Sequence, residues 1–257
     1  MKRVLNIYKK SGETPLEVIN RLRVDNPKYQ NEKITYAGRL DPLAEGVLIL
    51  LAGDAVYEKE KYLKLDKEYE AEILFGFTTD TYDILGLPKI NRKIENLKKE
   101  KLAESLKIFL GKDKMPFPPY SSYKIKGKPL FEWAREGRLN EIEIPEKERE
   151  IYEIKLLRFG KIEAKNLLSR INKKIKKVEG DFRQKEILNK WSEILEKEFR
   201  SEFQTVNLSI RCSSGTYIRS VASSLGKELK IGAVLSGLKR TRVGKFSIRA
   251  CLKSNRK

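Results

Sequence analysis

Gly38-Arg39-Leu40-Asp41-Pro42-Leu43-Ala44-Glu45-Gly46-Val47-Leu48 places a carboxylate ahead of an apolar run that continues through Ile49-Leu50-Leu51-Ala52-Gly53. Aspartate is costly to bury without a partner. Pro42 fixes its own φ and has no N–H, so the chain must turn beside the acid. Gly38 and Gly46 bracket that turn and permit close backbone approach. An acid on a stiff loop before a buried strand is a place for a carboxylate nucleophile. Taken alone, the same residues read more simply as a turn aspartate before a core strand.

The surroundings narrow the chemistry. The 257 residues include no histidine, which excludes Ser-His-Asp and Cys-His catalysis and His-ligated metals. Cys212 and Cys251 are too few and too far apart for a zinc finger and are read as reduced thiols. Neither a Walker A loop nor Gly-x-Gly-x-x-Gly occurs, so no cofactor and no metal is expected. Carboxylate, arginine and aromatic rings remain. Lys and Arg number 55 against 36 Asp and Glu, a net +19, which favours a polyanionic partner, nucleic acid before an anionic membrane. At 40% hydrophobic residues the chain can bury a core. No apolar run approaches the roughly 20 residues of a membrane span, and residues 1–14 lack the apolar stretch of a signal peptide. A cytoplasmic location is expected.

Working outward, Val4–Tyr8 reads as a strand. Thr14-Pro15-Leu16-Glu17 reads as a capped helix start with Val18, Ile19 and Leu22 inward. Residues 47–52 form a strand behind the Asp41 turn. Tyr69, Ala71, Ile73 and Phe75 alternate with charged neighbours over 67–77, a strand period. Residues 89–110 read as a basic amphipathic helix with Leu102, Leu106, Phe109 and Leu110 inward, 115–129 as an ordered loop, and 131–136 as a helical turn. Strands are expected at 151–159 and 205–212, and a helix at 217–229. Over 161–203, apolar residues recur at helical spacing on either side of Gly180-Asp181, with Phe199 the last of them, which predicts a helical hairpin. That segment holds 12 basic and 8 acidic residues. It reads either as a structural insert on the core or as a basic arm. Residues 239–257 hold eight Lys or Arg and no acid. With no repeat and no Gly/Ser linker, 1–257 reads as one domain.

Residues 34–55, ITYAGRLDPLAEGVLILLAGDA, resemble the catalytic motif of the TruB family, the tRNA pseudouridine(55) synthases. Three further segments match in the family's order. The first is Lys67-Glu68-Tyr69-Glu70-Ala71 leading to Gly76-Phe77-Thr78-Thr79-Asp80-Thr81-Tyr82-Asp83 and Gly86. The second is Pro118-Pro119-Tyr120-Ser121-Ser122-Tyr123-Lys124-Ile125-Lys126-Gly127-Lys128 with Ala134-Arg135-Glu136-Gly137. The third is Cys212-Ser213-Ser214-Gly215-Thr216-Tyr217-Ile218-Arg219-Ser220. The likeness covers roughly 4–160 and 203–250; residues 161–203 depart from the pattern. Many relatives continue into a small C-terminal RNA-binding domain, for which Lys257 comes too soon. The insert and basic tail are expected to replace it in part.

The resemblance implies an α+β pseudouridine synthase fold, with a mixed, mostly antiparallel central sheet flanked by helices. It implies conversion of uridine to pseudouridine in the T loop of tRNA, by flipping the base, breaking its C1′–N1 bond and rejoining C1′ to C5. The partner is the tRNA T stem-loop and the working form a monomer. Asp41 matches the catalytic aspartate; attack at C1′ and at the base C6 both stay open. Arg219 matches the arginine that pairs with it, and a guanidinium offsets the cost of burying that charge. Tyr69 matches the tyrosine that stacks on the target base, with help in removing the C5 proton as a further role open to it. Tyr217 and Leu238 fall at pocket-lining positions, and Gly38 and Arg39 belong to the catalytic motif. Lys9, Lys10, Lys124, Lys126 and Lys128 lie in segments that flank RNA in relatives. Tyr36 stands where relatives commonly have histidine; it can stack and hydrogen-bond but cannot become cationic. A synthase acting on ribosomal RNA, a non-catalytic RNA binder on the same fold and a basic ribosome-associated protein are the alternative readings.

Overall fold

The apolar run after Asp41 becomes a central strand. In the computed structural model, which describes residues 2–91 and 97–252, the chain begins with β1 (Arg3–Lys9), α1 (Pro15–Asp25), β2 (Ile34–Ala37), β3 (Glu45–Ala52), α2 (Lys59–Leu63) and β4 (Lys67–Phe75). There follow β5 (Phe77–Thr79), β6 (Pro88–Ile90), α3 (Lys99–Lys107), β7 (Gly111–Pro116), β8 (Lys124–Ile125), β9 (Lys128–Pro129) and α4 (Leu130–Arg135). The last third holds β10 (Glu146–Glu163), α5 (Ala164–Ile175), α6 (Gln184–Lys197), β11 (Glu202–Cys212), α7 (Ile218–Glu228), β12 (Ala233–Val243) and β13 (Phe246–Ser247).

One sheet runs β1-β3-β12-β4-β11-β10-β7, with β2 beside β3 and β13 beside β12. Its pairs are antiparallel except β3 with β12, which meet in parallel at Lys239–Glu45 and Arg240–Gly46. β3 therefore changes partner along one side, from β12 at Glu45–Gly46 to β2 at Ile49–Ala52. The loop 38–44 leaves the sheet at that fork. Gly46 is required there: its φ is +109°, and a Cβ would lie 2.2 Å from the Arg240 carbonyl oxygen.

Burial follows the sequence period. Tyr69, Ala71, Ile73 and Phe75 face a core shared with Leu102, Leu106, Val221 and Leu225 of α3 and α7. Leu74 points to the opposite face, where Leu167, Ile171, Ile175, Ile187, Trp191 and Leu195 of the α5–α6 hairpin cover it. The hairpin is thus a second helical layer rather than a free arm. Trp191 is fully buried, donates to the Ile84 carbonyl at 3.0 Å and tilts against Phe77 at 5.0 Å between centroids. Val18, Ile19 and Leu22 of α1 pack on Leu5, Ile7, Leu48 and Leu50. The capping box is formed: Glu17 N–H donates to Thr14 Oγ1 at 3.3 Å, and the Glu17 carboxylate accepts from the Thr14 N–H.

Three expectations are corrected. The helix over 89–110 is confined to Lys99–Lys107, because Pro88–Ile90 pairs as a strand with β5. Residues 92–96 of that span lie outside the described residues. Leu110, expected inward, follows the helix and is exposed. Phe199 likewise lies beyond α6 and is exposed, since the helix ends at Lys197. The expected strand 151–159 is one half of an 18-residue strand whose register shifts at Ile151/Glu153 and Leu156/Arg158 break the alternation. Of the basic tail, residues 253–257 lie outside the described residues. Among the described residues, no helix is long and apolar enough to cross a membrane.

Trp191→Ala is expected to lower unfolding free energy by about 3–5 kcal/mol. Trp191→Phe, which removes the donor to Ile84, should lose about 1–3 kcal/mol. Urea unfolding of both variants checks this. A loss under about 1 kcal/mol for the alanine variant would mean that the hairpin does not unfold with the sheet.

Candidate active site

The loop bearing Asp41 presents its carbonyls inward, and two buried cations take them up. Lys9 is fully buried and its ammonium donates to the carbonyls of Lys10, Pro42 and Ala44, at 3.2, 3.1 and 2.6 Å. Arg240, almost as buried, donates from Nε to the Val47 carbonyl at 2.8 Å, from Nη2 to Gly38 at 3.0 Å and from Nη1 to Arg39 at 3.4 Å. The Gly12 N–H reaches Pro42 at 2.9 Å, and Ser11 Oγ donates to the Leu43 carbonyl at 3.1 Å. The carbonyls of Gly38, Arg39, Pro42, Leu43 and Ala44 are thus all taken up, and that of Asp41 accepts from the Ala44 N–H at 3.0 Å, so the acid is held by its own backbone and its neighbours'.

Its carboxylate meets Arg219, from the first turn of α7. Arg219 Nε donates to Asp41 Oδ2 at 2.8 Å and Nη2 to Oδ1 at 3.1 Å, a two-point fork. Two further bonds go to backbone: Nη1 donates to the Thr81 carbonyl at 2.9 Å and Nη2 to the Tyr120 carbonyl at 3.2 Å. A second acid, Asp83, stands with Oδ2 3.9 Å from Arg219 Nε. Its Oδ1 accepts from Thr81 Oγ1 at 2.7 Å and from the Leu85 N–H at 2.9 Å. Burial pushes the Asp83 carboxyl up to about 6, against the pull of Arg219. Burial pulls Arg219 down, but Asp41 and Asp83 outweigh it and the guanidinium ends above its ordinary value. The Arg219 side chain is 5% exposed and that of Asp41 30%, so the carboxylate is the part of the pair open to a substrate.

Asp41, Leu43, Ala44, Asp83, Leu235, Ser236, Gly237 and Leu238 line one pocket. Leu238, expected from the sequence, is therefore in its wall. Tyr69 sits on β4 at the register position opposite Arg240. Burial pushes its phenol up to about 12, with Arg240 pulling the other way. Tyr217 precedes α7, lies edge-on to Phe117 at 5.6 Å, and is raised by burial and by the nearby charge of Asp41. Tyr36 and Arg39 line no part of that pocket and pair on the surface: Arg39 Nη2 donates to the Tyr36 hydroxyl at 2.9 Å, and Lys59 Nζ lies 5.7 Å from the Tyr36 ring centroid. Lys126 is exposed at the turn between β8 and β9 and lines no part of that pocket. Gly38 adopts φ +86° and gives its carbonyl to Arg240, a backbone hinge of the loop.

Lys9 is the correction. Expected to face RNA, it lies beneath the loop with its ammonium spent on carbonyls. Burial pulls its pKa down to about 8, opposed by the charges of Glu13 and Asp41. Sequence reasoning also missed Asp83 and Arg240. An acid immediately before Ile84-Leu85 was a usable sign of a buried carboxylate. Leu238-Lys239-Arg240-Thr241-Arg242 reads as a charged surface strand, and nothing local marks its middle arginine as buried. Among the described residues, no three His, Cys, Asp or Glu side chains are grouped to hold a metal ion.

Comparison with known proteins places the chain in a family. Residues 26–175 match the model of the TruB family pseudouridylate synthase, N-terminal domain. The tRNA pseudouridine synthase B of Clostridium kluyveri is 31% identical over 250 residues, covering 96% of this chain and 69% of that protein. The protein of the same name from Caldanaerobacter subterraneus subsp. tengcongensis is 32% identical, covering 95% and 70%. That from Bacteroides fragilis is 31% identical, covering 97% and 89%. Among solved structures, a Cbf5-Nop10-Gar1 complex contains a chain that superposes with a TM-score of 0.58 at 22% identity, over 95% of this chain and 49% of that one. An H/ACA RNP bound to a substrate RNA containing 2′-deoxyuridine gives 0.56 at 20%, over 95% and 48%. This chain spans about half the length of those two, and the likeness to them is one of fold. The family model runs from before the Asp41 loop to the end of α5, and the chain belongs to the TruB family of pseudouridine synthases.

Proposed function

We propose that this chain converts uridine to pseudouridine at position 55 in the T loop of tRNA, with Asp41 as the catalytic carboxylate. The observation that carries the reading is the two-point fork from buried Arg219 to partly exposed Asp41 at the edge of the Leu235–Leu238 wall. The base is flipped from its stack, at a cost of a few kcal/mol. It enters the pocket beside Leu238, with the ring of Tyr69 as its stacking face. Asp41 then acts at C1′ or at C6 while C1′–N1 breaks, the base turns and C1′ joins C5; the C5 proton passes to solvent and N1 takes one up, so the product is an isomer of the substrate. The phenol of Tyr69, held at about 12, keeps its own proton near neutrality, which favours stacking over proton removal as its part. The Arg219 fork fixes both carboxylate oxygens in advance, so no solvent need reorganise as charge shifts at C1′. Gly38, Arg39, Tyr36, Tyr217 and Lys126 contribute to substrate binding around this centre, and the protein acts as a cytoplasmic monomer.

Asp41→Asn, nearly isosteric but a poor nucleophile, should bring pseudouridine formation to background while tRNA still binds. Mapping pseudouridine in tRNA and rRNA incubated with each protein checks both activity and target. Substantial turnover by the variant, or a product elsewhere than the T loop, would sink the reading.

Arg219→Lys keeps one charge but loses the fork and leaves the Thr81 and Tyr120 carbonyls short of donors. The single-turnover rate should fall roughly 100-fold, with a stability loss of about 1–3 kcal/mol. A near-native rate would remove Arg219 as the partner of Asp41.

Asp83 supplies a pH dependence. Below about 6 it takes up a proton and Arg219 loses one of its two anionic neighbours. The rate at saturating tRNA should decline through an inflection near pH 6, and Asp83→Asn should be slow but free of that inflection. Stability runs the other way. Between about 6 and the ordinary aspartate value of 3.8 the folded chain holds a proton that the unfolded chain does not, so this group favours folding as pH falls. Rate profiles and urea unfolding of both proteins at pH 5 and 7 test the pair of signs.

A further inference from the structure

The turn joining α5 to α6 lies against three loops whose backbone groups bond the Asp41 loop or Arg219. On one side it meets Gly12. The Glu179 N–H approaches the Gly12 carbonyl at 3.5 Å, and a Cβ on Gly12, whose φ is +102°, would lie 2.4 Å from the Lys177 carbonyl oxygen. Gly12 in turn donates to Pro42, next to the catalytic acid. On the other side stands Arg183, at the head of α6. Its Nη2 donates to Asp80 Oδ2 at 2.8 Å, and its guanidinium carbon lies 4.7 Å from the centroid of the Tyr120 ring. Asp80 precedes Thr81, and Thr81 and Tyr120 are the two residues whose carbonyls hold Arg219. Arg135 adds a tie from the same region, Nη2 to the Asp181 carbonyl at 3.0 Å.

Arg183 occupies an unfavourable place for its side chain. Its φ is +61°, in the left-handed region where Gly, Asn or Asp would be cheaper, and it offers α6 no side-chain cap. A long planar cation there gains what a short residue could not: one charge placed between a carboxylate and an aromatic face, on two segments that the sequence separates by 40 residues or so.

We propose that the hairpin turn positions the reacting pair, and that Arg183 is the positioning residue linking the hairpin to Arg219 through Asp80 and Tyr120. The inference rests on Asp41 and Arg219 being the reacting pair. Arg183 touches neither; it bonds Asp80, next to Thr81, and lies over the ring of Tyr120, the two residues whose carbonyls accept from Arg219 being Thr81 and Tyr120. A displacement of about 1 Å at a reacting group can cost on the order of 100-fold in rate.

The test uses the full-length protein with a T stem-loop transcript, comparing Arg183→Ala, Arg183→Lys, Asp80→Asn and the Arg183→Ala/Asp80→Asn double variant. Single-turnover rate at saturating RNA, Kd with its salt dependence, and the thermal midpoint are measured for each. Arg183→Ala should lower the saturating rate roughly 10- to 100-fold without a matching change in Kd. Arg183→Lys, which keeps the ion pair and loses the stacking, should recover part of it. The double variant should be about as slow as the slower single one, because the two side chains act as a unit. An unchanged saturating rate overturns the proposal. If Kd alone weakens, with a shallower salt slope, Arg183 is instead a phosphate contact. If only the thermal midpoint falls, it is a structural tie. Asp41→Asn is run alongside: its activity would overturn the underlying site assignment, whatever Arg183 does.

Discussion

Burying a guanidinium obliges the protein to supply acceptors for its fork, and the candidate site is arranged around that obligation. Arg219 is satisfied by Asp41, Thr81 and Tyr120, which come from three separate segments, with Asp83 close by. Leaving any of these donors unpaired in the interior would cost about 1–3 kcal/mol, so the three segments are tied together by the need to satisfy one side chain. The Asp41 carboxylate keeps part of its exposure while Arg219, Thr81 and Asp83 are buried. The same bonds that stabilise the fold therefore leave one oriented anion at the edge of a pocket, which is what a nucleophile or electrostatic anchor requires.

A second constraint acts below the loop. A tight turn around Pro42 exposes carbonyls that cannot all find N–H partners in the sheet. Lys9 and Arg240 meet them with side-chain donors, one from β1 and one from β12. The arrangement depends on Gly46, because β3 approaches the Arg240 backbone too closely for a side chain. A loop held this way loses little freedom when substrate arrives, which is the physical meaning of a preorganised site.

The charge of the molecule has to be read with this in mind. The excess of 19 positive charges points to a polyanion, but Lys9, Lys67, Arg219 and Arg240 are buried inside the protein. Lys67 donates to the Leu63 carbonyl and is pulled down to about 8 by burial and by Arg240. These cations organise backbone. Arg39 and Lys126, by contrast, are exposed on the surface.

The amino-acid order by itself determined what depends on near neighbours. The alternation of Tyr69 to Phe75, the Thr14–Glu17 capping box, the helical spacing of Leu167 to Leu195 and the turn at Asp41-Pro42 were all legible, because periodicity, capping and turn chemistry act over a few residues. The candidate pair Asp41–Arg219 came from motif resemblance, since the two are 178 positions apart and no local rule joins them. Tertiary structure alone decided which charges were buried and for what. Lys9 turned from a surface cation into a loop support, Arg240 emerged as its counterpart, Asp83 joined the arginine, and Arg183 came to rest on Tyr120. Each depends on which distant segments meet: β3 running parallel to β12, α7 reaching the 38–44 loop, the hairpin turn lying against Gly12 and Asp80. A charged side chain in sequence carries no sign of its depth, because the partners that make its burial affordable are brought by the rest of the chain.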